Sequence, residues 1–445
     1  MSTCFLPDLK TLSAMALLGL SLSCGRKTQT VDPVAPSPEP APLNEPVQKS
    51  EIDVKLLRIT SYFNRFLNGP TTYVSEVTPE AWLNRPVQTP DYGRMLAKGT
   101  AIRMIAVGGG MTAGAQNGGL YREGQLTAYP NLVARQVGMA DFTTPAFDQQ
   151  HENGTGFDLR APASVLSLLR VSNALGIVEP EKDGKPPVFQ PYTGDVHNYS
   201  APWLGVGDSE LYWKPSSIGK SVNINGVSWP MELPYVKRFL PESVQTRTLL
   251  DHIQNSQSYN FFIFEGRSEG CFNVLRFQGL RKIGFGDLAG DITGGFDMTR
   301  FALQKLAAKG QKGVLFTVPY YQDLGIGSWP YPSLSDDEIG AYNAAVKLIN
   351  KVAYQSADDY DLAVVDLNAL YHRIRQGGYK TEQGLAVQGG LEGNFFSSDG
   401  IYPSILGQAI IANEVCRAIN EKYQAKIPLL DINQYLATIG LPGPQ

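Results

Sequence analysis

The chain has 445 residues, 43% of them hydrophobic, enough to bury one large core or two small ones. Its formal net charge is −4 with no long single-sign runs, so nothing points to nucleic acid or to a polybasic membrane surface. The 45 glycines and 30 prolines point to long ordered loops around the core.

The N-terminus reads as an export signal. "TLSAMALLGLSLSC" (11–24) is an apolar run too short to span a bilayer, and it ends in small residues before Cys24. It resembles a bacterial lipoprotein signal, which implies a signal peptide over 1–23, cleavage before Cys24 and acylation of its thiol. A secretory signal with an incidental cysteine is the alternative. Residues 24–50 form a proline-rich tether ("TVDPVAPSPEPAPLNEP") that has too little apolar surface to fold. Residues 51–99 read as a separate leader of unassigned role. If Cys4 is removed and Cys24 acylated, Cys271 and Cys416 remain. They form either one disulfide or, as we expect, two buried free thiols.

From about residue 100 short apolar runs alternate with helical segments, the pattern of an α/β fold with a parallel sheet. Strands are expected at 101–107, 259–266, 312–320 and 361–368, each dense in β-branched and aromatic residues. Helices are expected at 126–137, 161–176, 297–309, 336–353 and 405–423. The last has a wide apolar face through Leu406, Ile410, Val415 and Ile419. Asp336, Asp337 and Glu338 suit a helix N-terminus. Residues 180–235, rich in Pro, Gly, Trp and Tyr, read as an irregular insertion or lid.

The first strand runs into "GGGMTAG" (108–114). A phosphate loop would need a Lys followed by Ser or Thr, and neither is present at its end. Gly108, Gly110 and Ala113 fit a relaxed dinucleotide fingerprint, but the acidic strand end expected some twenty residues later is replaced by a helical segment. The stretch "VGGGMTAGAQNGGLYREGQLTAYPNLVARQ" instead resembles the first block of the SGNH (GDSL-type) hydrolase family, in a bacterial lipoprotein branch. "FFSSDGIYPSILGQAIIANEV" (395–415) is similar to its last block, the Ser-x-Asp-Gly-x-His-Pro turn before the closing helix. The resemblance spans roughly residues 100–435. It implies a three-layer α/β/α sandwich with a central parallel sheet, SGNH- or flavodoxin-like, over 100–436, with the insertion at 180–235.

It also implies a site whose chemistry has changed. In the family a serine attacks an acyl carbonyl, a histidine takes its proton and an aspartate three residues earlier orients that histidine. Position by position, the nucleophile falls on Gly110, the preceding aspartate on Gly109, and the base on Tyr402, with Asp399 retained. The oxyanion block Gly-x-Asn-Asp falls on Gly266, Arg267, Ser268 and Glu269 in "FFIFEGRSEG", and the second-block glycine on Gly154 or Gly156. Glycine has no side chain to attack with, and a tyrosine with a pKa of about 10 is a poor base near pH 7. The resemblance therefore implies a pseudo-enzyme.

Other candidates are weaker. Gly207-Asp208-Ser209 lies in the insertion, follows no buried strand and reads as incidental. Thr112 suits a turn or cap, and Ser397 and Ser398 flank Asp399. His151, His197, His252 and His372 are scattered, with none in the last block. No cluster has metal-ligand spacing, and neither metal nor cofactor is expected. The favoured reading is a non-catalytic envelope lipoprotein, a binding or assembly subunit held to the membrane through Cys24. It would sit at the outer membrane beside a protein partner there, with its contact surface in the insertion. The alternatives are an esterase or carbohydrate deacetylase with a displaced nucleophile, and a glycan- or lipid-binding protein using Trp203, Trp213 and Trp229.

Overall fold

The computed structural model describes residues 77–441, apart from 157–173, 181, 183–186, 203, 205–220, 225–226, 231–233, 241–247, 257, 279–295, 327–333, 391–392 and 398. Outside the described residues lie Cys24 with its signal and tether, most of the leader, and most of the helix expected at 161–176. Trp203, Trp213, Ser209 and Ser398 also lie outside, as does the side chain of Trp229.

Four short, apolar strands build the central sheet: β1 (Met104–Gly108), and, after two small ribbons, β6 (Phe261–Glu265), β7 (Lys312–Phe316) and β8 (Ala363–Val365). All pair in parallel in the order β1-β6-β7-β8, with Met104 opposite Phe261, Phe261 opposite Lys312 and Val314 opposite Ala363. Every residue of β1 and β6 is buried, as continuous apolar strands require when both sheet faces are covered.

Helices supply the cover in two groups. One comprises α4 (Tyr129–Gln136) and α11 (Ile405–Tyr423), which pack on each other; α11 meets β7 and β8, and the Tyr129 ring meets Phe316 of β7. The other comprises α6 (Leu249–Ser256), α8 (Phe296–Leu306) and α9 (Asp336–Tyr360), with α9 against β7 and β8. The resulting layers make an α/β fold of the flavodoxin-like type. The small elements between are α1 (Glu80–Leu83), α2 (Gly110–Ala113), α3 (Arg122–Thr127), α5 (Pro234–Lys237), α7 (Ser268–Gln278), α10 (Leu367–Arg375) and α12 (Ile432–Thr438).

Several boundaries differ from expectation, each for a local reason. The helix expected at 126–137 is two helices, because Ala128 is extended (ψ 140°) and Pro130 restarts the second at its first turn. The strand expected at 361–368 stops at Val365, because Asp366 caps α10 through the N–H of Ala369 (3.0 Å). The helix begun by the three acids extends to Tyr360. It opens with a reciprocal box in which the Ser335 and Glu338 side chains take each other's backbone N–H, and it ends where Asp361 turns left-handed.

The insertion is more ordered than expected. An antiparallel ribbon, β2–β3 (Ile177–Glu179, Val188–Phe189), leads into it, and a second, β4–β5 (Ser221–Ile224, Val227–Pro230), lies within it. Residues 197–201 run parallel along the free edge of β1: Ala106 N–H donates to His197 O, Tyr199 N–H to Ala106 O and Ala201 N–H to Gly108 O. This segment takes the place of a second strand beside the first, as in 2-1-3-4-5 sheets. Asn198, Tyr199, Ala201 and Leu204 are buried, so this stretch is core and not lid surface.

Residues 77–99, assigned from sequence to a separate leader, pack on the end of the chain. Thr78 N–H donates to Ile439 O, and the Trp82 ring meets Tyr435 edge-on at 5.4 Å. Cys271 and Cys416 are buried free thiols, and burial pushes each up to about 12. Among the described residues no helix is long and apolar enough to cross a membrane.

Candidate functional site

β1 delivers its chain into Gly108, Gly109 and Gly110 at the carboxyl edge of the sheet, and α2 begins at Gly110. Neither Gly109 nor Gly110 has a positive φ, so backbone conformation does not demand glycine there. Space does. A Cβ on Gly110 would lie 2.3 Å from the Tyr402 hydroxyl oxygen, and one on Gly109 would lie 2.3 Å from the Glu269 Cβ. Both side chains occupy the volume that a side chain at either glycine would need.

The last block is clamped onto this elbow. Gln408 of α11 accepts the Tyr129 N–H (2.9 Å) and donates to Met111 O (3.0 Å). Ser397 Oγ accepts from Asn117 N–H, and Asp399 Oδ2 from Gly118 N–H, both at 3.0 Å. The other oxygen of Asp399 accepts the N–H groups of Ile401 (2.9 Å) and Tyr402 (2.8 Å). Asp399 therefore ties the closing turn to the elbow loop and points at no imidazole. These bonds carry Tyr402 over Gly110, where its ring meets Phe272 edge-on at 6.2 Å.

Two carboxylates complete the arrangement. Glu269, in the first turn of α7, accepts the Gly110 N–H (2.8 Å) and the Tyr402 O–H (2.8 and 3.0 Å to its two oxygens). Glu265, the last residue of β6, accepts the N–H groups of Gly109 (3.0 Å) and Ser268 (3.1 Å) and the Thr112 hydroxyl (3.1 Å). Glu269, Glu265 and Tyr402 are 0%, 1% and 3% exposed. Burial, then the adjacent Glu269 carboxylate, pushes the Glu265 carboxyl up to about 7, against the lowering effect of its hydrogen bonds.

In electrostatic terms, the arrangement is the reverse of an oxyanion hole. Such a hole aims free N–H donors at a developing negative charge in a dry site. Here the N–H of Gly110 already serves a carboxylate, and those of Gly109 and Ser268 serve a second. The second-block glycines are committed as well, Gly154 N–H to His151 O (2.8 Å) and Gly156 N–H to Asn153 O (2.7 Å). Gly154 is left-handed (φ 48°), and its Cβ would strike Leu120 O at 2.0 Å, so its glycine is a packing requirement.

The structure thus brings together Gly109, Gly110, Ser268, Glu269, Asp399 and Tyr402. Gly266 links β6 to α7 and is buried with them. The histidines stand elsewhere: His151 with Asp148 (2.7 Å), His197 with Thr143 (2.8 Å), His372 with Asp323 (3.1 Å), and His252 edge-on to Tyr199 (5.9 Å). Thr112 bridges Glu265 and the Tyr129 hydroxyl (2.9 Å), a structural place. Glu265 is the site residue that sequence reasoning missed. Its one signal is a carboxylate ending an otherwise apolar strand, "FFIFE". Among the described residues no group of His, Cys, Asp and Glu could hold a metal ion.

No family model and no curated protein matches the chain. Among solved structures it is similar to an extracellular lipase from Streptomyces rimosus. The identity is 13% and the TM-score 0.34, over 72% of this chain and 100% of the lipase.

Proposed function

We propose that the chain is a non-catalytic, SGNH-hydrolase-like lipoprotein of the bacterial envelope, working as a binding or assembly subunit. One observation carries the loss of catalysis: the Tyr402 hydroxyl and the Glu269 carboxylate fill the space over Gly110 and take its N–H. An acyl carbonyl brought there would meet the Tyr402 hydroxyl over Gly110, would find the Gly110 N–H already taken, and its developing oxyanion would face a carboxylate. The lipoprotein part of the proposal rests on "LSLSC" before Cys24 and the proline-rich tether behind it. An outer-membrane location and a protein partner there are proposed by analogy with that class of anchor.

A serine-directed fluorophosphonate probe tests the catalytic part. No labelling above a heat-denatured control is expected; stoichiometric labelling lost on Ser209→Ala would establish a displaced nucleophile instead. Labelled palmitate tests the anchor: incorporation should disappear in Cys24→Ser, and incorporation that persists would overturn it. Co-purification from detergent-solubilised membranes tests the assembly role, which a stable stoichiometric partner supports and its absence contradicts.

A further inference from the structure

At the sheet edge opposite the elbow, the residues entering β1, β6 and β7 frame a cleft of about 700 Å3, a volume suited to a small ligand. Arg94, Arg103, Lys309 and Lys312 line it, and among the described residues no carboxylate does. Arg94 donates to Lys422 O (2.9 Å), which points its guanidinium without neutralising it. Arg103 and Lys309 have no ion-pair partner among the described residues. Lys312 pairs with Asp361, but Lys422 shares that same carboxylate, so the rim stays cationic.

The frame of this cleft is hydrogen-bonded across β1 and β6. The Asn260 side chain accepts the Arg103 N–H (2.8 Å) and donates to Ala101 O (2.8 Å), while the N–H groups of Asn260 and Phe261 return to Arg103 O. Four cations around one concavity repel one another, and a concave wall focuses their field on whatever enters. The whole chain carries −4, so the cluster is not a by-product of a basic composition.

We infer that this cleft binds a small polyanion carrying two or more phosphate groups. Forked guanidinium donors and point-charge ammonium groups suit phosphate oxygens. The phosphates can belong to a free molecule or to a lipid headgroup. The cleft shares no residue with the elbow, so its ligand is independent of catalysis there.

Calorimetric titration of the full chain with inorganic pyrophosphate at low ionic strength tests this. Saturable binding is expected, weakening as salt rises and falling about tenfold in Arg103→Ala and in Lys309→Ala. Lys351→Ala, an exposed position on α9 outside the cleft, should bind as the parent does. Co-sedimentation of the Cys24→Ser chain with phosphatidylcholine vesicles, with and without cardiolipin, whose headgroup carries two phosphates, separates the sources. Recruitment by the anionic lipid, lost in the same two variants, identifies a headgroup; pyrophosphate binding without recruitment identifies a free ligand. Absence of saturable binding to either probe, or an equal loss in Lys351→Ala, would overturn the inference.

Discussion

At the carboxyl edge of the sheet, Glu265 and Glu269 lie buried beneath Tyr402, whereas at the amino edge Arg103, Lys309 and Lys312 surround open space. Doubly wound sheets usually bind ligands beyond the carboxyl ends of their strands. Here, among the described residues, the elbow at that edge is filled by its own side chains, and the opposite edge holds a cleft ringed by cations. The contrast teaches that a fold nominates a location but side chains decide whether anything can bind there.

The contrast can be broken by stability measurements. The largest effect should come from Tyr402→Ala, which removes a buried ring and the hydroxyl donor to Glu269. It should cost about 4 kcal/mol in a denaturant titration.

Next comes pH. A carboxyl raised to about 7 in the folded chain, against 4.5 in its ordinary state, keeps its proton where the unfolded chain has released it. Its contribution to stability is full below the unfolded value and is lost as pH rises through the folded one. The loss across that window is on the order of 3 kcal/mol. Glu265→Gln should flatten the slope of unfolding free energy over this pH window.

Gly110→Ser should cost about 2 kcal/mol, because its side chain has to displace the Tyr402 hydroxyl. Smallest of all, Arg103→Ala and Lys309→Ala should each stay within about 0.5 kcal/mol of the parent, since they touch no packed core. If Gly110→Ser is tolerated as well as these two, the elbow has room and the contrast between the edges fails.

Much of the elbow was legible in the sequence because its two halves are local. "VGGGMTAG" and "SSDGIYP" each carry a turn within a few residues, and the apolar face of α11 follows the second directly. Long-range partners were not legible. Glu265 is satisfied by Gly109, 156 positions away, and Glu269 by Tyr402, 133 positions away; no local pattern signals either. Glycine at 109 and 110 reads from sequence as a lost side chain. In the fold it makes room for two side chains that arrive from elsewhere.

The edge segment 197–201 escaped notice for a related reason. "HNYSA" has polar residues at 197, 198 and 200 and sits between proline-containing stretches, and its burial depends on the free edge of β1. The amino-edge cluster is likewise invisible in a chain of net charge −4, since Arg94, Arg103, Lys309 and Lys312 come from three separate stretches.

The claim that the elbow is catalytically closed is tested most directly by hydrolysis of p-nitrophenyl acetate by the intact chain, set beside Tyr402→Phe. A filled elbow predicts rates indistinguishable from buffer for both proteins. Saturable turnover by the parent chain, lost in Tyr402→Phe, would contradict it.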